Sequence, residues 1–306
     1  EEAARSSSVL LYPISRFSSN FSVSRVSHHQ NSKNEKTVGL MKVHVGSCTI
    51  QGRRPHNEDR ILISHSNPSL FAVFDGHGGS FVSAMLKERF LPVFRKHMAK
   101  DYPDVKTVSK ALTSTIKDLE DLSLAASMKK SGSTLCVCVL VEGTKIVCAN
   151  VGDSRAVAFA GGKVIALSSD HSLEDPIEKA RCIRNGGVVF KKYGQLRVSS
   201  RGMSLNLSRA LGDVLMKRPS CVISPHPDIR VVDMMDNKAK IFTIVIGSDG
   251  VFGRLSSKDV GRFLRMKFCK TGGDCKEVSK LLVDHAYDKG SWDNISAVVI
   301  RVELAG

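Results

Sequence analysis

Aromatic residues other than Phe are scarce in this 306-residue chain, which holds one Trp and four Tyr. No run of five basic residues occurs, despite a formal net charge of +15. A stacking platform for single-stranded nucleic acid interleaves aromatic and basic residues along one groove, so that function has little support. A basic surface facing water, or one suited to an anionic substrate, is the plainer reading of the charge. Long apolar runs are also missing. The longest, around residues 134 to 141, has the length of a strand and contains Thr134 and two cysteines, far short of the 18 or more residues that cross a bilayer as a helix. Cysteines are present at 48, 136, 138, 148, 182, 221, 269 and 275, but without a C-x-x-C pair or a histidine at ligand spacing. A zinc module is thereby disfavoured. Several of the cysteines sit inside apolar runs, where a thiol behaves as a small hydrophobe, so they are read as free core thiols. That usage fits a reducing intracellular compartment, the cytoplasm or nucleus.

Acidic residues are absent between Glu2 and Glu35, a stretch that carries ten serines by residue 32 together with Arg5, Arg16 and Arg25. Serine-rich, arginine-bearing, acid-poor composition describes an organelle transit peptide and an ordinary disordered extension equally well. The expectation is a flexible extension or targeting leader over residues 1–38 and one folded domain over 39–306. Residues 1–38 hold five Lys or Arg against three Glu, so +13 of the net charge belongs to the remainder. With 42% hydrophobic residues, that remainder has enough apolar material for one large core or two modest ones.

From Val43 onward, β-type runs at 43–50, 71–74, 135–141, 145–151, 155–159, 163–167, 241–247 and 295–303 alternate with helical spacings. Phe81, Met85, Phe90 and Phe94 predict one face of a helix over about 79–98. A second helix follows from Val105, Val108, Leu112, Ile116 and Leu119. Asp175-Pro176 with Glu178, and later Asp274 with Glu277, are helix starts, with Gly186-Gly187 and Gly290 as the matching stops. The strands of 135–167 read as hairpins joined by Glu142-Gly143 and Gly161-Gly162. The expected class is α+β, a largely antiparallel sandwich with helices outside it.

Two of the apolar runs stop on an Asp-Gly pair, at Asp75-Gly76 and Asp249-Gly250. Each alone reads as a turn. Glu58, Asp59, Asp153 and Asp293 occupy similar positions at predicted strand ends. If these carboxylates converge, their repulsion calls for a cation, and an all-oxygen donor set suits Mg²⁺ or Mn²⁺; the alternative is a set of unrelated, solvated acids. Gly76 lets a backbone carbonyl approach an ion, His77 offers a proton near neutral pH, and Arg54 offers a planar fork for phosphate. Together they describe phosphoryl-ester hydrolysis, with attack by metal-bound hydroxide and protonation of the departing alkoxide. A structural role for His77 in a Gly-rich turn stays open.

The ordered set RRPHNEDR (53–60), FAVFDGHGG (71–79), SGSTL (131–135), ANVGDSRAV (149–157), SSDHS (168–172), LNLSRALGD (205–213), IGSDGVF (246–252) and GSWDNIS (290–296) closely resembles the metal-dependent type 2C serine/threonine protein phosphatases, over about residues 43–304. The resemblance implies a central β-sandwich of two antiparallel sheets flanked on both faces by α-helices, and two Mn²⁺ or Mg²⁺ ions. It implies that Asp75 bridges the ions, Asp249 and Asp293 complete one shell, and Glu58 with the Gly76 carbonyl serves the other. Asp59 is then expected to orient water, Arg54 to bind phosphate and His77 to act as general acid. Where relatives carry a second acid after the Asp249 motif, this chain has Gly253, which leaves Asp153 and Asp249 at a weakened third site. The implied partners are phosphoserine and phosphothreonine proteins, for a monomer with no nucleic acid and no membrane span. The alternative is an inactive member that binds partners as a scaffold.

Overall fold

The computed structural model describes residues 41–98, 103–126, 129–237 and 239–304; the predicted leader over 1–38 lies outside them. In chain order the strands are β1 (Lys42–Ile50), β2 (Arg60–Ser64), β3 (Leu70–Phe74), β4 (Gly76–His77), β5 (Gly132–Ser133), β6 (Leu135–Val141), β7 (Lys145–Val151) and β8 (Arg155–Ala160). They continue with β9 (Lys163–Ala166), β10 (Val188–Lys192), β11 (Gln195–Ser200), β12 (Met203–Leu205), β13 (Leu211–Gly212), β14 (Asp228–Asp233), β15 (Ile241–Gly247) and β16 (Ile295–Glu303). The helices are α1 (Phe81–His97), α2 (Val105–Ala125), α3 (Pro176–Arg184), α4 (Val214–Lys217), α5 (Asp249–Phe252), α6 (Ser257–Lys270) and α7 (Cys275–Asp288).

Two five-stranded antiparallel sheets form the centre, ordered β1-β16-β15-β8-β9 and β14-β7-β6-β3-β2. The inner strands β3, β6, β7, β15 and β16 read as mainly apolar runs because both of their faces are buried. Phe71, Val73, Ile146, Phe242, Ile244 and Val298 fill the space between the sheets. The alternate residues Leu70, Phe74, Val137 and Val147 pack under α1 and α2, and Val245, Ala297 and Val299 pack under α6 and α7. The predicted helix-flanked sandwich is what these residues build.

Three details differ from the expectation. The α1 row that is buried is Val82, Leu86, Phe90 and Phe94, a strict i, i+4 series, while Phe81 is 41% exposed; Phe81 and Met85 lie one position, about 100°, round the helix from that row. Cys136, Cys138, Cys148, Cys182 and Cys275 are buried thiols, whereas Cys221 and Cys269 are exposed and Cys48 is intermediate. The 135–167 segment does contain two hairpins. The first turns through the three residues Glu142, Gly143 and Thr144, with Glu142 and Gly143 at φ 52° and 72°, and the second through Gly161 and Gly162 at 55° and 80°, the left-handed pair a two-residue turn requires. Yet β7 and β8 belong to different sheets, so the chain crosses the sandwich at Gly152-Asp153-Ser154.

Register puts the ends of many strands on one rim. Ile50 pairs with Ile295, and Gly247 with Ala297 and with Arg155, so β1, β16, β15 and β8 share an edge. In the facing sheet Phe74 pairs with Arg60, and Leu135 with Val151. Every carboxylate singled out from the sequence follows or precedes one of these ends.

Candidate active site

A cleft of about 440 Å³ opens at this rim, lined by Arg54, Glu58, Asp75, Gly76, His77, Asp153, Asp249 and Asp293. Asp59 is the one predicted site residue outside the lining; it lies beneath, 2% exposed. The structure therefore brings the predicted set together.

Several short-range devices hold it there. Asp75 leaves β3 with its amide donating to Thr134 Oγ1 at 3.1 Å, and its carbonyl accepts from Thr134 N at 2.8 Å and Ser133 Oγ at 3.1 Å. The loop after β1 is fastened by Asn294, which accepts from Glu58 N at 2.9 Å and donates to the carbonyls of Gln51 and His56, both at 2.8 Å. Ser83 on α1 donates to the Glu58 carbonyl at 2.5 Å, and the Glu58 carboxylate accepts from Gly79 N at 3.0 Å. Gly76 sits under this loop with no spare room. A Cβ there would stand 2.5 Å from Glu58 O and 2.6 Å from Ser83 Oγ. Gly76→Ala is accordingly expected to displace Glu58 and lower catalytic rate at least tenfold while far-UV circular dichroism stays native; a rate within twofold of wild type would refute this reading of the contact.

The electrostatics are those of crowded anions. Burial, then the charges of Asp59 and Asp249, raise the Asp75 carboxyl well above its ordinary range. Burial and then Asp153 and Asp293 do the same to Asp249. Asp153 is pushed up to about 6 by burial and by Asp170. Asp59 also reaches about 6, mainly through burial, and both of its buried oxygens lack a hydrogen-bond partner. Anions crowded this closely together are the physical signature of a cation site. Among the described residues no three His, Cys, Asp or Glu side chains are arranged to enclose an ion by themselves. Oxygen donors from the Gly76 carbonyl and from water fit the remainder of such a shell, in keeping with Mg²⁺ or Mn²⁺ chemistry.

Two cationic groups face the acids. Arg54 donates through Nη2 to Asp293 at 2.6 Å, and the rest of its fork remains for other acceptors. His77 Nε2 lies 2.9 Å from both oxygens of Asp213. Burial alone would lower the His77 pKa, but the Asp213 carboxylate outweighs it and the net shift is upward. Asp213 is fully buried at φ 53°, a left-handed geometry that Asp tolerates better than most residues. The short strands β4, β5 and β13 pair side by side to bring His77 and Asp213 together. Gly132 leaves the space, because a Cβ there would fall onto both groups. Asp213 and Asn294 were quoted within motifs but given no role from the sequence. The αL position of Asp213 at the end of LNLSRALGD becomes visible only once β13 is paired.

Comparison with known proteins agrees with this geometry. The family model described as Protein phosphatase 2C matches residues 43–295. The chain is 32% identical over 280 residues to Protein phosphatase 1L of Bos taurus, covering 87% of this chain and 74% of that one. A solved C. elegans sex determining protein superposes with TM-score 0.74 at 27% identity, over 86% of this chain and 65% of the other. The catalytic domain of serine/threonine protein phosphatase PstP, solved with two manganese ions, shares the fold at TM-score 0.58 and 17% identity, over 86% of this chain and 100% of that one. The chain belongs to the protein phosphatase 2C family and is a serine/threonine protein phosphatase.

Proposed function

We propose that this cleft hydrolyses phosphoserine and phosphothreonine esters of proteins at two Mn²⁺ or Mg²⁺ ions. Asp75 would be shared between the ions, with Asp249 and Asp293 on one side and Glu58 and the Gly76 carbonyl on the other. The observation that carries the reading is the cluster itself, in which Asp75 is flanked by Asp59 and Asp249 and the carboxyls of Asp59, Asp75, Asp153 and Asp249 are held above their ordinary range. When bound, the ions supply charge neutralisation and a nucleophilic water near neutral pH.

The remaining work falls to side chains of this chain. Arg54 offers its uncommitted donors to phosphate oxygens. Asp59, orphaned beneath the cluster, orients water above it. His77, whose protonated form the Asp213 carboxylate favours, stands ready to give its proton to the departing Ser or Thr oxygen. Because the His77 ring is fixed through Nε2, Nδ1 is the atom left for that transfer. Asp153 and Asp249 are left for a third ion. Gly253 supplies no carboxylate there, and a Cβ at Gly253 would meet the Asp249 carbonyl at 2.7 Å. Occupancy of that third site is expected to be weak.

The test is hydrolysis of a phosphothreonine peptide with Mn²⁺ and with excess chelator. Turnover should appear with Mn²⁺ and fall to background on chelation, and equal rates in the two conditions would rule the reading out. No helix among the described residues is long and apolar enough to cross a membrane.

A further inference from the structure

From Lys179 to Gly212 the chain has no Asp or Glu but eight Lys or Arg. This acid-free stretch includes the β10-β11-β12 ribbon, which borders a cleft walled by carboxylates. Register decides which basic residues face the cleft. Phe190 pairs with Arg197 and Lys192 with Gln195, so all four side chains share one face of the ribbon. The opposite face carries Val189, Leu196, Val198, Met203 and Leu205, which pack onto Leu173, Cys182, Met216 and Val222. Lys191 has the parity of that apolar face and does not belong with Lys192.

Arg197 lines the catalytic cleft and also a neighbouring cavity of about 210 Å³ that Lys192, Tyr193 and Ser204 complete. Three of the other basic residues of the stretch have partners of their own. Arg181 and Arg209 pair with Glu178, Arg209 pairs again with Asp228, and Arg201 donates to the Arg218 carbonyl. Arg197 instead bonds to Ser204, Nε to the hydroxyl at 3.0 Å and Nη2 to the carbonyl at 2.7 Å, so its positive charge is positioned but not neutralised. Lys192 Nζ rests 5.3 Å over the ring of Tyr193, itself 93% exposed.

We propose that this face of the ribbon is a recognition subsite for a second anionic group on the substrate. That group is an Asp or Glu side chain, or another phosphorylated residue, close in sequence to the scissile phosphate. The proposal rests on the phosphatase reading and narrows its substrates to acidic phosphopeptides. An extended peptide leaving the cleft past Arg197 reaches Lys192 next, and the two cations offer it a bidentate fork and a point charge in turn. The same arrangement offsets the repulsion that the carboxylates of the cleft exert on an acidic chain.

The test uses phosphothreonine peptides with neutral flanks, with one Glu moved through the flanking positions, and with a second phosphothreonine moved likewise. Both kcat/KM with Mn²⁺ and equilibrium Kd are measured. Wild type is expected to favour at least one acidic placement about fivefold, the scale of an exposed charge pair, and to lose the preference as salt rises. Lys192→Glu should abolish or invert it. Lys110→Glu, the same charge change on an exposed position of α2, should retain it. The Glu and phosphate arms tell which anion is preferred. Absence of any acidic preference in wild type, or an equal loss in both variants, overturns the subsite. Discrimination in Kd without turnover of any peptide would leave the subsite standing and overturn the phosphatase reading, so the two failures are distinguishable.

Discussion

Asp75→Asn is expected to lower kcat on a phosphothreonine peptide by about a thousandfold or more, the scale of losing a central electrostatic group in a closed site. Asparagine nearly preserves the shape. The main-chain bonds of Asp75 to Ser133 and Thr134 do not involve the changed atoms, so the fold should survive. The same substitution makes an opposite prediction about stability. In chelator at pH 7 wild type must hold Asp75 beside Asp59 and Asp249, whose charges push the Asp75 carboxyl upward. Removing one charge relieves that repulsion, so metal-free Asp75→Asn should melt at or above metal-free wild type. Adding Mn²⁺ should then raise the wild-type Tm by several degrees, since a ligand at a thousand times its Kd contributes about 4 kcal/mol, and should raise the variant far less. Thermal melts of the four samples check this directly. A variant that melts well below wild type in chelator, or gains equally from Mn²⁺, would mean that Asp75 is a structural residue.

How much of this was legible in the sequence follows from what each segment buries. The eight strands expected from apolar runs all appear, and most of them, such as β3, β6, β7 and β15, are covered on both faces and need no polar alternation to be recognised. The strands that escaped notice have a different composition. β10 and β11 expose Lys191, Lys192 and Gln195 and bury little, and β14 alternates exposed and half-buried residues. The apolar positions of β10 and β11 serve a small separate cluster around Met216 and Val222. The acids at the rim were legible for the same reason as the long strands, since a charge ending an apolar run has to emerge there. Asp213 and Asn294 were not. Asp213 matters through one contact to His77, 136 residues away, and Asn294 through a contact to Glu58, 236 residues away. No local pattern encodes such a pairing. The crossing at Gly152-Asp153-Ser154 was not legible, because a short Gly-bearing link looks alike whether it turns a hairpin or changes sheet.

The second large effect concerns Glu178, at the start of α3. It is 4% exposed, and its carboxylate accepts from Arg209 Nη2 at 2.7 Å, Arg181 Nη2 at 3.0 Å and Ser208 Oγ at 2.6 Å. Those bonds tie α3 to the segment that leads to Asp213, and hence to His77. Burial pushes the Glu178 carboxyl up, but the bonds from Arg209, Ser208 and Arg181 outweigh it and bring the group down to about 2. Glu178→Ala leaves two half-buried guanidinium groups without their shared partner, an expected loss of about 3–5 kcal/mol at pH 7. For a domain of this size that is roughly 10 °C in Tm. The pH dependence has a definite sign. The folded pKa lies below the unfolded value near 4.5, so the unfolded state binds the proton first. The contribution of Glu178 is therefore complete above about pH 4.5 and disappears as pH falls toward 2. The gap in stability between wild type and Glu178→Ala should hold constant from pH 8 to about 5 and narrow steadily below that. Chemical denaturation of both proteins across that range reads the gap directly. A gap that is independent of pH down to 3 would show that packing, and not the carboxylate, holds α3 to the chain around Ser208 and Arg209.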